Sequence, residues 1–146
     1  MKFIEMRYLE QYERGIVEFN EGRFFECHDT LEELWMDERG ERRRFLQGLI
    51  QGAVGLFHAT GGNFTGANSQ LTKALAKLDE YPPHFLGVDV ASLRGGLRGA
   101  LSEIRRRIAL GEATALTELD PALIPAIDYT FDPASMSDLL EQEDSA

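Results

Sequence analysis

Residues 19–67 read FNEGRFFECHDTLEELWMDERGERRRFLQGLIQGAVGLFHATGGNFTGA, and this segment determines the architecture of the chain. It contains the only tryptophan and the only cysteine, two of the three histidines and most of the nine phenylalanines. Apolar residues recur at helical spacing from Phe24 to Met36 and again from Glu41 to Thr60. A charged link that ends in glycine, Asp37–Gly40, separates the two runs, so the segment predicts two consecutive helices.

The same periodicity extends beyond this segment in both directions. The turn at Asn20–Gly22 is so short that the helices before and after it must lie antiparallel, as a helical hairpin. After Gly111 the pattern weakens, and prolines punctuate short apolar pieces that predict an extended or one-turn segment along the helices. The predicted helices are Ile4–Phe19, Phe24–Met36, Glu41–Thr60, one from a cap at Asn63 or Thr65 to about Glu80, and one from a cap at Asp89 to about Leu110.

The predicted fold class is therefore all-α: a single-domain antiparallel bundle of about five helices, built from helical hairpins and followed by an irregular, proline-containing segment. We expect residues 1–134 to form this domain and residues 135–146 to form an acidic, flexible tail. No stretch alternates with period two for long enough to predict a sheet, and residues 84–87 are predicted to be a loop with an exposed His84.

Composition narrows the classes of function. A chain of 146 residues with 43% hydrophobic and 27% charged residues is typical of one soluble globular domain. The net charge of −10 disfavours nucleic acid as a partner, because an acidic surface repels phosphate backbones. The single cysteine favours a reducing compartment, and no apolar run approaches the roughly 18 residues of a membrane span. We expect a cytoplasmic protein without a membrane partner.

The third predicted helix is apolar over more than half of its circumference, which is typical of a helix at the centre of a bundle. We expect Phe57 to belong to this apolar face, together with residues such as Phe45 and Leu56. Small residues form a second strip on the same helix, and each glycine there costs about 1 kcal/mol of helix propensity. A close approach by a neighbouring helix would compensate for that cost, and a homodimer is also compatible with the strip. The small residues are Gly48, Gly52, Gly55 and Ala59.

A row of polar groups runs along the third helix within an arc of about 60°. The row contains Arg44, Gln47, Gln51 and His58. Either it is the solvent side of the helix, or it faces another helix across a narrow polar cleft. A solvent face usually collects glutamate and lysine, so glutamines and a histidine beside glycines favour the cleft.

On the second helix, His28 and Glu32 stand four residues apart, next to Phe25 and Trp35. Imidazole and carboxylate at that spacing can form a hydrogen bond at the rim of the core or provide two metal ligands. If the pair is structural, loss of the Glu32 carboxylate should cost about 1–3 kcal/mol. Glu26 points to the other side of an ideal helix and should not join them.

With His58, the pair would resemble the ligands of a zinc or iron site, but the sequence has neither an HExxH motif nor a paired Glu-x-x-His motif. We therefore predict no metal and no cofactor, and keep His28, Glu32 and His58 only as candidate ligands. Cys27 lies on the apolar face of its helix and is expected to be a buried, inert thiol.

Several of these residues form a pattern that resembles a known family, the domain of unknown function 309 (DUF309). The family shows an FN-x-G-x-FFE-x-H block that continues to a tryptophan, then R-x-FLQGLIQ, a histidine and a GN-x-x-GA turn. In this chain, the pattern begins at Phe19, has Trp35 and His58 in place, and ends at Ala67. Asp29 departs from it, because the family usually has glutamate there. The resemblance covers residues 16–80.

The resemblance implies a small all-helical bundle and no known activity. It also implies that eight polar and aromatic residues form one site. Glu26 is among them, although helical geometry places it on the other side of its helix. The candidate site residues are Glu26, His28, Glu32, Trp35, Arg44, Gln47, Gln51 and His58.

Three functions are compatible with this sequence. The first is a binding or interaction module, with a polar cleft between the second and third helices that takes a small molecule or a protein partner. The second is a hydrolase-type enzyme that uses His28 or His58 with Glu32, with or without a metal. The third is a structural subunit whose polar strip holds the helices in register. An open cleft would favour the first two, and a closed, fully hydrogen-bonded strip would favour the third.

Overall fold

The computed structural model describes residues 3–112 and 119–131. Within these ranges the chain forms a helical bundle with one very small hairpin, so the all-α prediction is confirmed. The predicted tail, and the predicted domain end at residue 134, lie outside the described residues. The elements are α1 (Phe3–Asn20), α2 (Phe24–Asp37), α3 (Gly40–Thr60), α4 (Phe64–Leu78), β1 (His84–Phe85), β2 (Val88–Asp89), α5 (Val90–Ala109) and a 3-10 turn (Pro121–Leu123).

The helix boundaries have local causes that the sequence shows. Gly22, with φ of +77°, follows α1 in a left-handed conformation that only glycine adopts at little cost. The Asn63 side chain accepts a hydrogen bond from the Gly66 amide at the start of α4, and Asp89 caps α5 in the same way through Ser92. The predicted boundaries differ from the observed ones by at most two residues.

Each helix packs against the next one along the chain, and the most extensive contact joins α3 to α4. This contact uses the glycine strip: a Cβ atom on Gly55 would lie 2.7 Å from Leu71, and one on Gly48 would lie 3.1 Å from Leu78. The predicted close approach is thus confirmed. Because α4 of the same chain covers the strip, the strip gives no support to a homodimer, which stays a prediction.

The core lies between the helices and contains the residues that the helical periods placed there. Tyr12, Leu31 and Leu56 are completely buried, and the apolar stripe of α4 from Phe64 to Leu78 is buried as well. Phe57 is the exception. Its side chain is 47% exposed, so the prediction that it faces the interior is wrong. None of the helices in the described part of the chain is both long and apolar enough to cross a membrane.

The segment after α5 returns along the bundle, as predicted. Its backbone pairs with the hairpin, since Thr130 donates to the Gly87 carbonyl and the Asp89 amide donates to Asp128. The hairpin itself corrects the prediction of a loop at residues 84–87. Its strands have two residues each, too few for an alternating pattern, and its two-residue loop has positive φ at Leu86 and Gly87, the type I′ geometry.

Candidate functional site

An open cleft of about 320 Å³ lies between α2 and α3, and one residue of α4 contributes to its wall. The helical spacing explains its composition. The edge of α2 places side chains on one wall at intervals of three or four residues, and the polar row of α3 forms the opposite wall. The cleft is lined by His28, Glu32, Trp35, Gln47, Ile50, Gln51, Val54 and Gln70.

On the α2 wall, His28 lies between two carboxylates. Its Nε2 atom is 2.9 Å from Oε2 of Glu32, and its Nδ1 atom is 3.1 Å from Oδ1 of Asp29. A neutral imidazole has only one N–H group, so the ring can donate to both carboxylates only when it is protonated. The His28 side chain is 30% exposed, that of Glu32 is 42% exposed and that of Asp29 is 62% exposed. A ligand in the cleft can therefore reach the imidazole and its carboxylate partner Glu32.

The opposite wall is made of amides. Gln51 accepts a hydrogen bond of 2.7 Å from the Lys77 ammonium through its Oε1 atom. Gln47 and Gln70 line the cleft without a side-chain hydrogen bond to any of the described residues. The polar strip is therefore neither closed nor internally satisfied, and these amides remain able to bind a ligand or water.

Trp35 lines the cleft, and Arg43 packs against its ring. The Arg43 guanidinium stacks on its ring, with 4.0 Å between the guanidinium carbon and the ring centroid. The same guanidinium donates 3.1 Å hydrogen bonds to the carbonyls of Trp35 and Glu38, which end α2. This arrangement fixes the indole as a rigid apolar wall beside the glutamines.

A smaller apolar pocket of about 180 Å³ adjoins the cleft, and we call it the aromatic depression. Phe25 and Phe57 are 56% and 47% exposed, and their ring centroids are 5.9 Å apart. His28 and Val54 border both the depression and the cleft, so the two cavities lie side by side. The depression is lined by Phe24, Phe25, His28, Val54, Phe57 and His58.

The predicted site residues are only partly brought together. His28, Glu32, Trp35, Gln47 and Gln51 line the cleft, and His58 lines the adjoining depression.

Two predicted residues lie apart from this group. Arg44 forms a 2.5 Å ion pair with Glu80 and does not line either cavity. Glu26 is exposed and does not line them either, which agrees with its position on the helical wheel.

Sequence reasoning missed Gln70 and Lys77. Their spacing of seven residues puts them on one face of α4, and that spacing was the available signal.

Within residues 3–112 and 119–131, the group of side chains that could hold a metal ion lies on α2. One ligand atom each of His28, Asp29 and Glu32 lies within 4.8 Å of the others, so Asp29, and not the predicted His58, is the third candidate ligand. Cys27 is fully buried, as predicted, and is not a candidate nucleophile. Burial, with a smaller effect from Glu18, raises the pKa of its thiol to about 12.

Comparison with known proteins confirms the resemblance. Residues 12–70 match the family model described as "Domain of unknown function (DUF309)". This matched range includes all the residues that line the cleft.

Two relatives carry no assigned activity. The chain is 39% identical over 70 residues to the "Uncharacterized protein YpuF" of Bacillus subtilis (strain 168), and the alignment covers 47% of this chain and 40% of that protein. It is 29% identical over 84 residues to an "Uncharacterized protein" of Aquifex aeolicus (strain VF5), and this alignment covers 57% of this chain and 25% of that protein. The chain thus spans less than half the length of these relatives.

Proposed function

We propose that this chain, which matches DUF309 over residues 12–70, is a binding module for a small molecule that occupies the cleft between α2 and α3. One observation carries the proposal: Gln47 and Gln70 line an open cleft and find no hydrogen-bond partner among the described residues. A strip that merely held the helices in register would be closed and internally paired. The geometry therefore disfavours a purely structural role.

The two neighbouring cavities indicate the kind of ligand. The cleft offers amide, imidazole and carboxylate groups, and the aromatic depression offers Phe25 and Phe57. Their volumes of about 320 and about 180 Å³ suit a molecule of metabolite size. We infer an amphipathic ligand whose polar part lies in the cleft and whose ring or short alkyl group covers the two phenylalanines. Covering them would also remove exposed apolar surface from water.

The test uses the only tryptophan, because Trp35 lines the cleft and its fluorescence should report occupancy. A metabolite library is screened by thermal shift on the wild-type protein, and each hit is titrated while Trp35 emission is recorded. We expect saturable binding that His28→Ala and Gln47→Ala weaken at least tenfold. His84→Ala, which changes an exposed histidine of the β-hairpin, should leave affinity unchanged. Hits that bind all variants equally would overturn the proposal.

A second candidate function is hydrolysis, and the contacts of His28 favour it. An imidazole with a carboxylate 2.9 Å from one ring nitrogen can act as a general base that is oriented by that carboxylate. With Nε2 donating to Glu32, His28 would accept the proton at Nδ1. The water that attacks an ester or amide carbonyl would therefore have to displace the exposed Asp29 carboxylate, which lies 3.1 Å from that atom. His58 could contribute only from the aromatic depression, where its Nδ1 atom is 3.5 Å from the Asn63 amide nitrogen.

This second function is tested with activated esters such as p-nitrophenyl acetate, with and without added Zn²⁺ or Mn²⁺. Hydrolysis that falls at least a hundredfold in His28→Ala and is retained in His84→Ala would support it. Equal rates in the two variants would exclude His28 as the base.

A further inference from the structure

Lys77 of α4 contacts the cleft wall through Gln51. Its Nζ atom lies 2.7 Å from Oε1 of Gln51. A lysine ammonium has donors and no acceptor, so the amide oxygen, and not the amide nitrogen, must face it. The NH₂ group of Gln51 is then left for the cleft. Lys77 does not line the cleft itself and contacts it through Gln51. The Gln51 NH₂ group and the remaining ammonium N–H groups are the donors that this pair can offer.

The charge of Lys77 is poorly compensated. No carboxylate of the described residues lies within ion-pair distance of its ammonium, and Glu80 is already engaged by Arg44 at 2.5 Å. Partial burial lowers the pKa of Lys77, and the nearby cations Arg44 and Lys73 lower it further, against a smaller opposing effect of Glu80. An anion bound here would neutralise a cation that has no counterion within ion-pair distance among the described residues.

The position of Lys77 relative to the cleft follows from the helix packing. Seven residues separate it from Gln70, so both lie on one face of α4, and Gln70 lines the cleft. The Cβ atom of Lys77 lies 3.5 Å from where a Cβ atom on Gly48 would be, so its stem crosses the close contact of α3 and α4.

We propose that Lys77 and Gln51 form an anion-binding end of the cleft, so that the ligand carries a carboxylate or phosphate group there. This inference rests on the proposed binding function and narrows its ligand class. The carboxylates of Glu32 and Asp29 repel an anion from the α2 wall. The anionic group therefore belongs at the α3–α4 side, and an amine or hydroxyl of the same molecule faces Glu32.

The test follows the Gln51 side-chain amide by NMR while inorganic phosphate or, separately, acetate is added at constant ionic strength. We expect a saturable shift, and the anion that causes it distinguishes a phosphate site from a carboxylate site. Lys77→Met should weaken binding at least tenfold, and Lys77→Arg should retain it. Lys73→Met is the matched control, because it removes one positive charge from the same helix without a contact to Gln51.

Binding that is equally weak in Lys73→Met and Lys77→Met would reduce the effect to general electrostatics and overturn the inference. The inference would also be overturned if neither phosphate nor acetate caused a saturable shift of the Gln51 side-chain amide signal. These failures are distinct from failure of the proposed function. A neutral metabolite that binds wild type and Lys77→Met with equal affinity, but not Gln47→Ala, would remove the anion-binding end and leave the cleft intact as a binding site.

Discussion

The side-chain amide of Asn20 pairs with the backbone of Ile127 in both directions. Its Nδ2 atom donates to the Ile127 carbonyl at 2.9 Å, and its Oδ1 atom accepts from the Ile127 amide at 2.6 Å. Ile127 is 2% exposed, so loss of this pair leaves a buried peptide group without its partners. The last residue of α1 therefore fastens the returning C-terminal segment to the bundle.

Asn20→Ala should lower the free energy of unfolding by about 1–3 kcal/mol, the usual cost of unpaired buried polar groups. Urea denaturation measures the change. Glu21→Ala is the control, since it alters the adjacent exposed position whose side chain has no contact with Ile127. A similar loss in both variants would show that the change acts on the helix end and not on the attachment of Ile127.

Alanine at two helical glycines should have opposite effects. At Gly55 a Cβ atom would meet Leu71 side-chain carbons at 2.7 Å and the Leu71 backbone nitrogen at 3.2 Å, and a backbone atom cannot move aside cheaply. We expect Gly55→Ala to destabilise the fold by about 1–3 kcal/mol. At Gly95, inside α5, nothing lies within 4 Å, so Gly95→Ala should stabilise by up to about 1 kcal/mol.

Thermal and urea denaturation of the two variants measure both changes. The substitution is chemically identical in the two helices, so helix propensity alone would raise stability in both. Stabilisation by Gly55→Ala would mean that α3 and α4 are not in close contact at Leu71.

The helices could be predicted because their signal is local. Apolar residues at a period of 3.6 and capping residues such as Asn63 and Asp89 act within one or two turns, and the sequence shows them directly. The close packing at the glycine strip could also be predicted. Three glycines on one face of a helix lower its helix propensity, and close packing against a neighbouring helix can compensate for that loss.

The features that could not be predicted from the sequence depend on how separate helices and strands align with one another. Gln70 and Lys77 join the site because Gly48 and Gly55 set the register of α4 on α3, and the sequence does not give that register. Phe57 was assigned to the core by its periodicity, yet it lies at the edge of α3, where it contacts Phe25 instead. The hairpin at Leu86 depends on residues more than 40 positions away in the C-terminal segment.

The Cys27 thiol should be unreactive in the folded protein. Its pKa is raised to about 12 from an ordinary value of 9.0, and its side chain is fully buried. At pH 8 the thiolate fraction is then roughly a thousandfold below that of an unperturbed cysteine. Labelling by a disulfide reagent, followed by absorbance, should proceed only as fast as the protein opens. Rapid labelling without urea would contradict this.

The same shift predicts the direction of a pH effect on stability. Between pH 9 and 12 the unfolded thiol loses its proton and the folded thiol keeps it, so the folded state binds more protons and stability falls as pH rises. Cys27→Ala should reduce this alkaline loss. Burial also raises the pKa of Tyr81 to about 12. Tyr81 should therefore cause part of the alkaline loss of stability, and that part should persist in Cys27→Ala. Urea denaturation at pH 8 and pH 10.5 compares the two proteins.

The His28–Glu32 pair should matter more for binding than for folding. Its side chains are 30% and 42% exposed, and an ion pair or hydrogen bond at such exposure contributes below about 1 kcal/mol. This is less than the 1–3 kcal/mol expected if the pair were part of the core. Glu32→Gln should therefore leave the melting temperature close to that of Glu26→Gln, an exposed control about one and two-thirds turns earlier on α2.

Ligand affinity should separate these two variants. Glu32 lines the cleft and Glu26 does not, so only Glu32→Gln should weaken a ligand found in the Trp35 fluorescence titration. A double-mutant cycle with His28→Ala measures the coupling in both properties. We expect coupling in binding of at least fivefold and coupling in stability below about 0.5 kcal/mol. The reverse result would be large coupling in stability and none in binding. It would show that the His28–Glu32 pair stabilises the fold and that the α2 wall takes no part in ligand binding.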